Sequence, residues 1–483
     1  MPKKVPNQTS TKIICTIGPA SESRSILRKL LFAGMRVARL NFSHGSYEHH
    51  RLLIDNIRQA SDETGIPCAL LQDLQGPKLR VGALAKPLEL SKGEEVTAVI
   101  EGRIEELLRA DDDVGKVIPL QYDLSTCLTK GDTVLIDDGI IELRVVRVGQ
   151  GSIAARVVAG GPVASNKGIN IPGRDIRTEV ITKKDKLDLR FGLLARVDAV
   201  ALSFVAGAGD IEDLKHLIVE HAPKSGVRPI VIAKIERAAA VEKIDEIIDA
   251  ADGIMIARGD LGLEIEASAV PLAQKEIISK CLARNKTVIV ATQMLDSMIR
   301  NPRPTRAEVS DVASAVVDHA DALLLSAETA FGKYPSRAVE MMSEIINKME
   351  SSPYDDLVVP LRVGSSGEEA LAHAAWSLGK EINARAILVT TLSGRTSRML
   401  SRFRPSVPIL VTCESPKIQR QLLFSWGVIP VILPKYKTVD ILITKAVEKI
   451  ERAEMVKKGD TIVIISGQPV GHPGANLLKV HTI

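Results

Sequence analysis

Aromatic residues are scarce in this chain: 2 Trp, 5 Tyr and 7 Phe make up 3% of its 483 residues. Proteins that hold single-stranded nucleic acid stack bases on aromatic faces above a basic groove. The groove is missing as well, because 63 Lys and Arg against 59 Asp and Glu leave a net charge of +4 with no polybasic tract. Nucleic acid is therefore not an expected partner. Cysteine is equally sparse. Cys15, Cys68, Cys127, Cys281 and Cys413 lie far apart, are odd in number and form no Cys-x-x-Cys pair. Neither a disulfide framework nor a thiolate zinc site is expected, and reduced thiols fit a cytoplasmic protein. No uncharged apolar run reaches the roughly 18–20 residues of a membrane span. The polar opening Met-Pro-Lys-Lys-Val-Pro-Asn-Gln-Thr lacks a signal-peptide core, so neither membrane nor export is expected.

What is present is a globular balance of 45% hydrophobic and 25% charged residues, at a length that calls for two to four domains of about 100–200 residues. Short β-branched apolar runs recur, each followed by helical periodicity: Lys12–Gly18, Val37–Phe42, Ala69–Leu74, Ala199–Val205, Pro229–Ile235, Gly253–Ala257, Thr287–Ala291 and Ala322–Ser326. Eight βα units predict a (β/α)8 TIM barrel. Polar residues collect where the runs end: Arg39 and Asn41, Asp73, Ser203, Lys234 and Glu236, Arg258 and Asp260, Thr292, then Ser326 and Glu328. In a barrel that end is the catalytic face.

More than 120 residues separate the third and fourth runs, far more than a loop and a helix need, so an inserted domain is expected. It reads as all-β, with strands at Glu95–Ile100, Val134–Ile136, Ile140–Val148 and Ile153–Val158 and a hairpin turn at Asp137-Asp138-Gly139. The polar stretch after Ser351 reads as a linker to a C-terminal α/β sheet with strands Ala386–Thr391, Pro408–Thr412, Val428–Leu433 and Thr461–Ser466. The expected domains are a barrel from 1–76 and 176–350, a β lid domain from 77–175, and a C-terminal α/β domain from 351–483.

The chemistry starts from Ala-Lys-Ile-Glu-Arg at 233–237. Strand alternation puts Lys234 and Glu236 on one side of the chain. An ion pair alone would account for a Lys-x-Glu, but Asp260 adds a second carboxylate at the next strand's end. Two carboxylates with room for water suit Mg²⁺. Gly259 and Gly262 would allow a left-handed backbone and N–H groups aimed at an anion. Arg39, Asn41, Ser43 and His44 close the second run with a phosphate fork, oxygen and amide groups and an imidazole. Thr292 and Ser326 add hydroxyls, which could equally satisfy local backbone groups. In the C-terminal sheet, Thr391, Ser393, Gly394, Arg395 and Thr396 join a strand to a helix start, as an ordinary capped turn or an anion nest.

Taken in order, the strings Thr-Lys-Ile-Ile-Cys-Thr-Ile-Gly-Pro-Ala-Ser at 11–21, Ala-Arg-Leu-Asn-Phe-Ser-His-Gly at 38–45, Gly-Pro-Lys-Leu-Arg at 76–80 and Lys-Gly-Ile-Asn-Ile-Pro-Gly at 167–173 resemble the pyruvate kinase family along nearly the whole chain. The strings at 233–237, 256–262 and 291–295, and Gly-His-Pro-Gly-Ala at 471–475, continue the resemblance. It implies a homotetrameric, cytoplasmic enzyme that moves the phosphoryl group of phosphoenolpyruvate onto ADP to give ATP. Glu236 and Asp260 would hold Mg²⁺ or Mn²⁺, and Lys234 would neutralise the phosphoryl group. Arg39, Gly259 and Thr292 would position the substrate. Asn41, His44, Arg80 and Lys167 would join Arg39 at the nucleotide. The family's monovalent-cation ligands fall on Asn41, Ser43, Asp73 and the carbonyl of Leu74, while Lys78 stands where K⁺-dependent members carry glutamate. A tethered ammonium there implies that K⁺ is not required. The 391–396 loop would take a sugar-phosphate or nucleotide effector. Two other readings compete: a lyase or aldolase on the same barrel, and a catalytically silent metabolite sensor.

Overall fold

The computed structural model describes residues 9–77, 79–110, 115–174, 179–223, 226–354, 366–470 and 474–483. All eight apolar runs become parallel strands of one closed barrel: β1 (Lys12–Thr16), β2 (Met35–Asn41), β3 (Ala69–Asp73), β4 (Ala199–Leu202), β5 (Ile230–Ile235), β6 (Gly253–Ala257), β7 (Thr287–Ala291) and β8 (Ala322–Leu325). β1 pairs with both β2 and β8, which closes the ring. The intervening helices start on local signals. Ser23 caps Arg24–Ala33, and Thr305 with Glu308 forms a capping box on Arg306–Val317.

Strand alternation sorts the side chains into two cores. Ile13, Leu70, Val200, Ile254 and Leu323 face the helices, while Ile14, Leu71, Ala201, Ile232, Met255 and Leu324 fill the barrel interior. Two residues further along five of these strands the interior set turns polar: Thr16 after Ile14, Asp73 after Leu71, Ser203 after Ala201, Lys234 after Ile232 and Ser326 after Leu324. The period of two that packs the floor therefore also aims the mouth residues inward.

The inserted domain has its own core around Val96, Ile118, Leu143 and Ile153 and a six-stranded sheet. It is not purely β. A helix, Ile104–Ala110, lies between Glu95–Ile100 and Lys116–Leu120. Those two strands are parallel, and a parallel pair needs a crossover that a hairpin cannot supply. The expected hairpin turn is present, with Asp137, Asp138 and Gly139 at φ 56, 53 and 82. The two chain crossings into this domain are tied together by Asp185. Its carboxylate accepts the Gly76 N–H at 3.2 Å and the Thr182 hydroxyl at 2.6 Å.

The C-terminal sheet has the expected strands β9 (Ala386–Thr390), β10 (Ile409–Cys413), β11 (Val428–Ile432) and β12 (Thr461–Ser466), plus β13 (Leu477–Thr482), which the sequence reading lacked. β13 is an antiparallel edge strand with Lys479 exposed, so it shows little of the apolar run that marks the central strands. This domain closes the barrel's floor. Leu423 and Phe424 follow the helix Pro416–Leu422 and join the barrel-interior cluster at 2% and 0% exposure. Beside them Arg420 meets the fully buried Asp198 at 2.9 Å, and Asp198 also accepts the Leu70 N–H at 2.9 Å.

Phe424→Ala should destabilise the protein by about 3–5 kcal/mol, the usual cost of emptying a buried aromatic site. Urea unfolding followed by tryptophan fluorescence measures it, and a midpoint equal to that of the unmodified chain would show that the plug adds nothing.

Candidate active site

Lys234 stands at the centre of the barrel mouth. Its Nζ lies 2.8 Å from Glu236 Oε1 and 3.3 Å from Asp73 Oδ1, and donates to Ser203 Oγ at 2.7 Å. Burial opposes the ammonium, but Asp73 and Glu236 outweigh it and push the pKa up to about 12. Lys234 is thus a permanent cation at neutral pH. Burial likewise works against the charge of Asp73, and the cations Lys234 and Arg39 overcome it to hold the carboxyl below its ordinary range. Arg39 donates from Nε to Asp73 Oδ2 at 2.6 Å and from Nη1 to Thr16 Oγ1 at 2.9 Å. Ser203 in turn donates to the Leu74 carbonyl at 2.7 Å.

Glu236 behaves differently. Burial raises its proton affinity, the nearby Asp260 raises it further, and Lys234 opposes both. One oxygen meets Lys234 and the other accepts the Phe204 N–H at 2.7 Å. Asp260 is half-buried in the first turn of the helix Arg258–Glu264. Among the described residues no group of three or more His, Cys, Asp or Glu could hold a metal. Two hard carboxylates whose charges repel nonetheless fit a divalent cation that keeps water or substrate oxygens in its remaining positions.

The left-handed backbone that Gly259 and Gly262 would allow is not used, because the helix begins directly at the end of β6 and both glycines belong to it. Thr292 and Gln293 take that conformation instead, at φ 70 and 55. It is costly for a β-branched residue and characteristic of functional loops. Thr292 Oγ1 accepts the Gly259 N–H at 2.8 Å and donates to the Ala291 carbonyl at 2.6 Å. Arg258 is structural: both its Nη atoms bind Asp311 at 2.6 Å. Ser326 is half-buried after β8, its N–H taken by Glu328 at 2.7 Å.

The structure brings Asn41, Ser43, Asp73 and Leu74 together at the ends of β2 and β3, where Asn41 is the register partner of Asp73 and accepts the Ser43 N–H at 3.1 Å. Lys78 lies outside the described residues. His44 is exposed on the loop after β2, and its carbonyl is held by His50 Nε2 at 2.9 Å. Arg80 and Lys167 are brought together in the inserted domain: Arg80 donates to Asn166 O at 2.7 Å, and Val81 N–H bonds Lys167 O at 2.9 Å. Lys167 Nζ binds Asp137 at 2.8 Å. That turn leans over the mouth, since a Cβ on Gly139 would lie 3.2 Å from Leu263, on the same helix as Asp260.

At the remote loop, Gly394 has φ 77 and caps the helix Arg395–Ser401. Its N–H is taken by Thr391 Oγ1 at 3.0 Å, and Thr396 donates to Glu368 at 2.6 Å. Arg395 meets the same Glu368 at 3.4 Å. Thr391, Ser393 and Thr396 line one cavity with Thr412, Glu414 and Gly474. Residues 471–473 of the last resembling string lie outside the described residues. The sequence reading put Ser203 at the catalytic face without a role and did not place Thr16 there. Ser203 was detectable as a strand-end hydroxyl, whereas Thr16 carries no local signal because it reads as part of an apolar run.

The family described as "Pyruvate kinase, barrel domain" matches residues 8–339, and "Pyruvate kinase, alpha/beta domain" matches residues 369–481. A pyruvate kinase of Geobacillus stearothermophilus is 42% identical over 98% of this chain and 80% of its own length. One from Mycobacterium tuberculosis is 41% identical over 98% of both. The crystal structure of a pyruvate kinase from Cryptosporidium parvum superposes with a TM-score of 0.88 at 34% identity, covering 99% of this chain and 96% of that one.

Lys234→Met strips the counter-charge from Glu236 and should cost about 3–5 kcal/mol at pH 8. The deficit should shrink towards pH 5. A carboxyl whose pKa is raised in the folded chain binds its proton there before the unfolded chain does, so the proton replaces the lost ammonium as pH falls. Urea unfolding at both pH values measures this, and a deficit independent of pH would show that the carboxylate does not depend on Lys234.

Proposed function

The chain belongs to the pyruvate kinase family, and we propose that it transfers the phosphoryl group of phosphoenolpyruvate to ADP with the charge cluster at its barrel mouth. The observation that carries this assignment of roles is the buried Lys234 ammonium, 2.8 Å from Glu236, whose proton affinity is raised by burial and by the nearby Asp260. Neither a lyase nor a silent sensor finds support among the relatives. The units run from 1–76 and 176–350, 77–175, and 351–483, assembled as a cytoplasmic homotetramer. Among the described residues no helix is long and apolar enough to cross a membrane.

Glu236 and Asp260 would hold Mg²⁺, or Mn²⁺ in its place. When bound, that ion adds positive charge beside the phosphoryl oxygens. Lys234 faces the bridging oxygen, where the bond to phosphorus breaks, and balances the charge left on the enolate. Arg39 grips the phosphate through its Nη atoms while its Nε stays tied to Asp73. Gly259 and Thr292 orient the carboxylate end, and an arriving oxyanion competes with Thr292 for the Gly259 N–H. Asn41, His44, Arg80 and Lys167 hold ADP, whose terminal oxygen forms the new bond to phosphorus. Ser326 and Thr292 provide hydroxyls beside the enolate, which takes at carbon a proton passed on from solvent and becomes pyruvate. Preorganised charge in a water-poor cleft is the usual means of phosphoryl transfer.

The cation pocket of Asn41, Ser43, Asp73 and Leu74 needs no K⁺ in this reading. Its one carboxylate, Asp73, already meets Arg39 at 2.6 Å and Lys234 at 3.3 Å, and by the family resemblance Lys78 would add a further tethered charge. The 391–396 loop binds a sugar phosphate or nucleotide as activator through Thr391, Ser393, Gly394, Arg395 and Thr396. There the phosphate displaces Glu368 from Thr396 and Arg395.

With phosphoenolpyruvate, ADP and Mg²⁺ in buffer free of K⁺ and Na⁺, ATP should form at full rate, and Asp260→Asn should lower kcat by about 10²–10³-fold. Coupled detection of ATP measures both. A requirement for KCl would refute the cation reading, and an undiminished kcat in the Asp260→Asn enzyme would refute the metal assignment. Joint replacement of Thr391, Ser393 and Thr396 by Ala should remove activation by sugar phosphates and leave the unactivated rate intact, as rate curves with and without effector will show; activation that persists rejects the loop.

A further inference from the structure

The helix Lys183–Leu194 starts directly after Thr182, where the chain returns from the inserted domain to the barrel. Its first turn carries Lys183 and Lys184, although a helix N-terminus is the positive end of the dipole and favours acids. Lys184 also precedes Asp188 by four positions, the less favourable order for such a pair. Helix stability thus gives no reason for a lysine here, and its contacts do. Lys184 Nζ donates to the Phe42 carbonyl and to Asp188 Oδ2, each at 2.6 Å. Asp188 is 1% exposed. Its other oxygen accepts the Tyr47 hydroxyl at 2.8 Å, and its carbonyl accepts Gln72 Nε2 at 2.7 Å. The Tyr47 ring stacks on Phe191 of the same helix, with centroids 5.0 Å apart.

The loop from Phe42 to Tyr47 is therefore held at three places. Lys184 grips the Phe42 carbonyl, His50 holds the His44 carbonyl while stacked on Phe42, and Asp188 takes the Tyr47 hydroxyl. The first and last of these come from the helix at the return crossing. The Phe42 N–H bonds the Asp73 carbonyl at 3.0 Å, so β3 fixes one side of Phe42 and Lys184 the other. Asn41 precedes that residue, and Ser43 and His44 follow it. We propose that Lys184 is a positioning residue for the nucleotide, fixing the peptide between Asn41 and Ser43 so that Asn41 and His44 are presented to ADP. This inference rests on the placement of ADP given above. A carbonyl that accepts from an ammonium makes a bond about twice as strong as a neutral one. Asp185, the next residue, bonds the Gly76 N–H at the outgoing crossing, which keeps the loop in register with both crossings into the inserted domain. The phosphoenolpyruvate side has its own supports, since Arg39 is held by Asp73 and Thr16, and Lys234 by Glu236 and Ser203.

Steady-state kinetics with each substrate varied in turn test this on Lys184→Met, Lys184→Arg and the double variant Lys184→Met with Asp188→Asn. Lys184→Met should raise KM for ADP about tenfold, the scale of one hydrogen bond to a charged group, and change KM for phosphoenolpyruvate and kcat at saturating ADP by less than about twofold. Lys184→Arg, whose several N–H donors reach both acceptors, should keep KM for ADP near that of the unmodified chain. Lys184→Met leaves the buried Asp188 charge unmatched and should melt lower. Adding Asp188→Asn removes that charge, so the melting temperature should recover while KM for ADP stays high. Recovery of both together overturns the proposal, because the pair would then serve the fold alone; an equal rise in the two KM values does the same. His44→Ala reports the underlying placement of ADP. A raised KM for ADP in His44→Ala beside an unchanged one in Lys184→Met rejects the positioning role alone, and no change in either rejects the nucleotide placement with it.

Discussion

The ammonium of Lys234 is the constraint on which the barrel mouth depends. It neutralises two buried carboxylates at once, Glu236 and, together with Arg39, Asp73. Because Asp73 also holds Arg39, and Ser203 links Lys234 to the Leu74 carbonyl, the ends of four strands share one hydrogen-bonded network. The groups that would meet substrate are therefore held in place before it arrives. Such preorganisation is what makes fixed charge effective in a water-poor site.

The floor of the barrel shows the complementary arrangement. The interior core is completed by Leu423 and Phe424 from the C-terminal domain, so the barrel is not closed by its own residues. Asp198 lies at the start of β4 and holds both Arg420 and the backbone of β3. The same two strands end at the mouth in Ser203 and Asp73. Two short strands thus join the domain that carries the 391–396 loop to the network around Lys234.

The sequence carries the strands clearly because a parallel barrel strand is buried on both faces and reads as a short apolar run. For the same reason Lys234, Glu236 and Asp73 stand out, since charged residues at the ends of such runs have few bland explanations in aggregate. The helix Ile104–Ala110 was hidden because strand pairing, which decides where a crossover is needed, is not written in local pattern. β13 was hidden because an edge strand buries little. The positive φ of Thr292 ran against propensity, which favours glycine there; the neighbouring Gly259 stays helical because β6 feeds straight into its helix.

From residues alone follow the alternation of strands and helices, the excess of polar groups at strand ends and the family resemblance, because each rests on local periodicity or on contiguous strings. Tertiary structure alone decided that Thr16 joins the site, that Ser203 bonds Lys234, that one lysine serves two acids, and that Phe424 plugs the barrel from another domain. Contacts between residues far apart in the chain depend on register and docking, which the whole chain settles together as it excludes water from its cores.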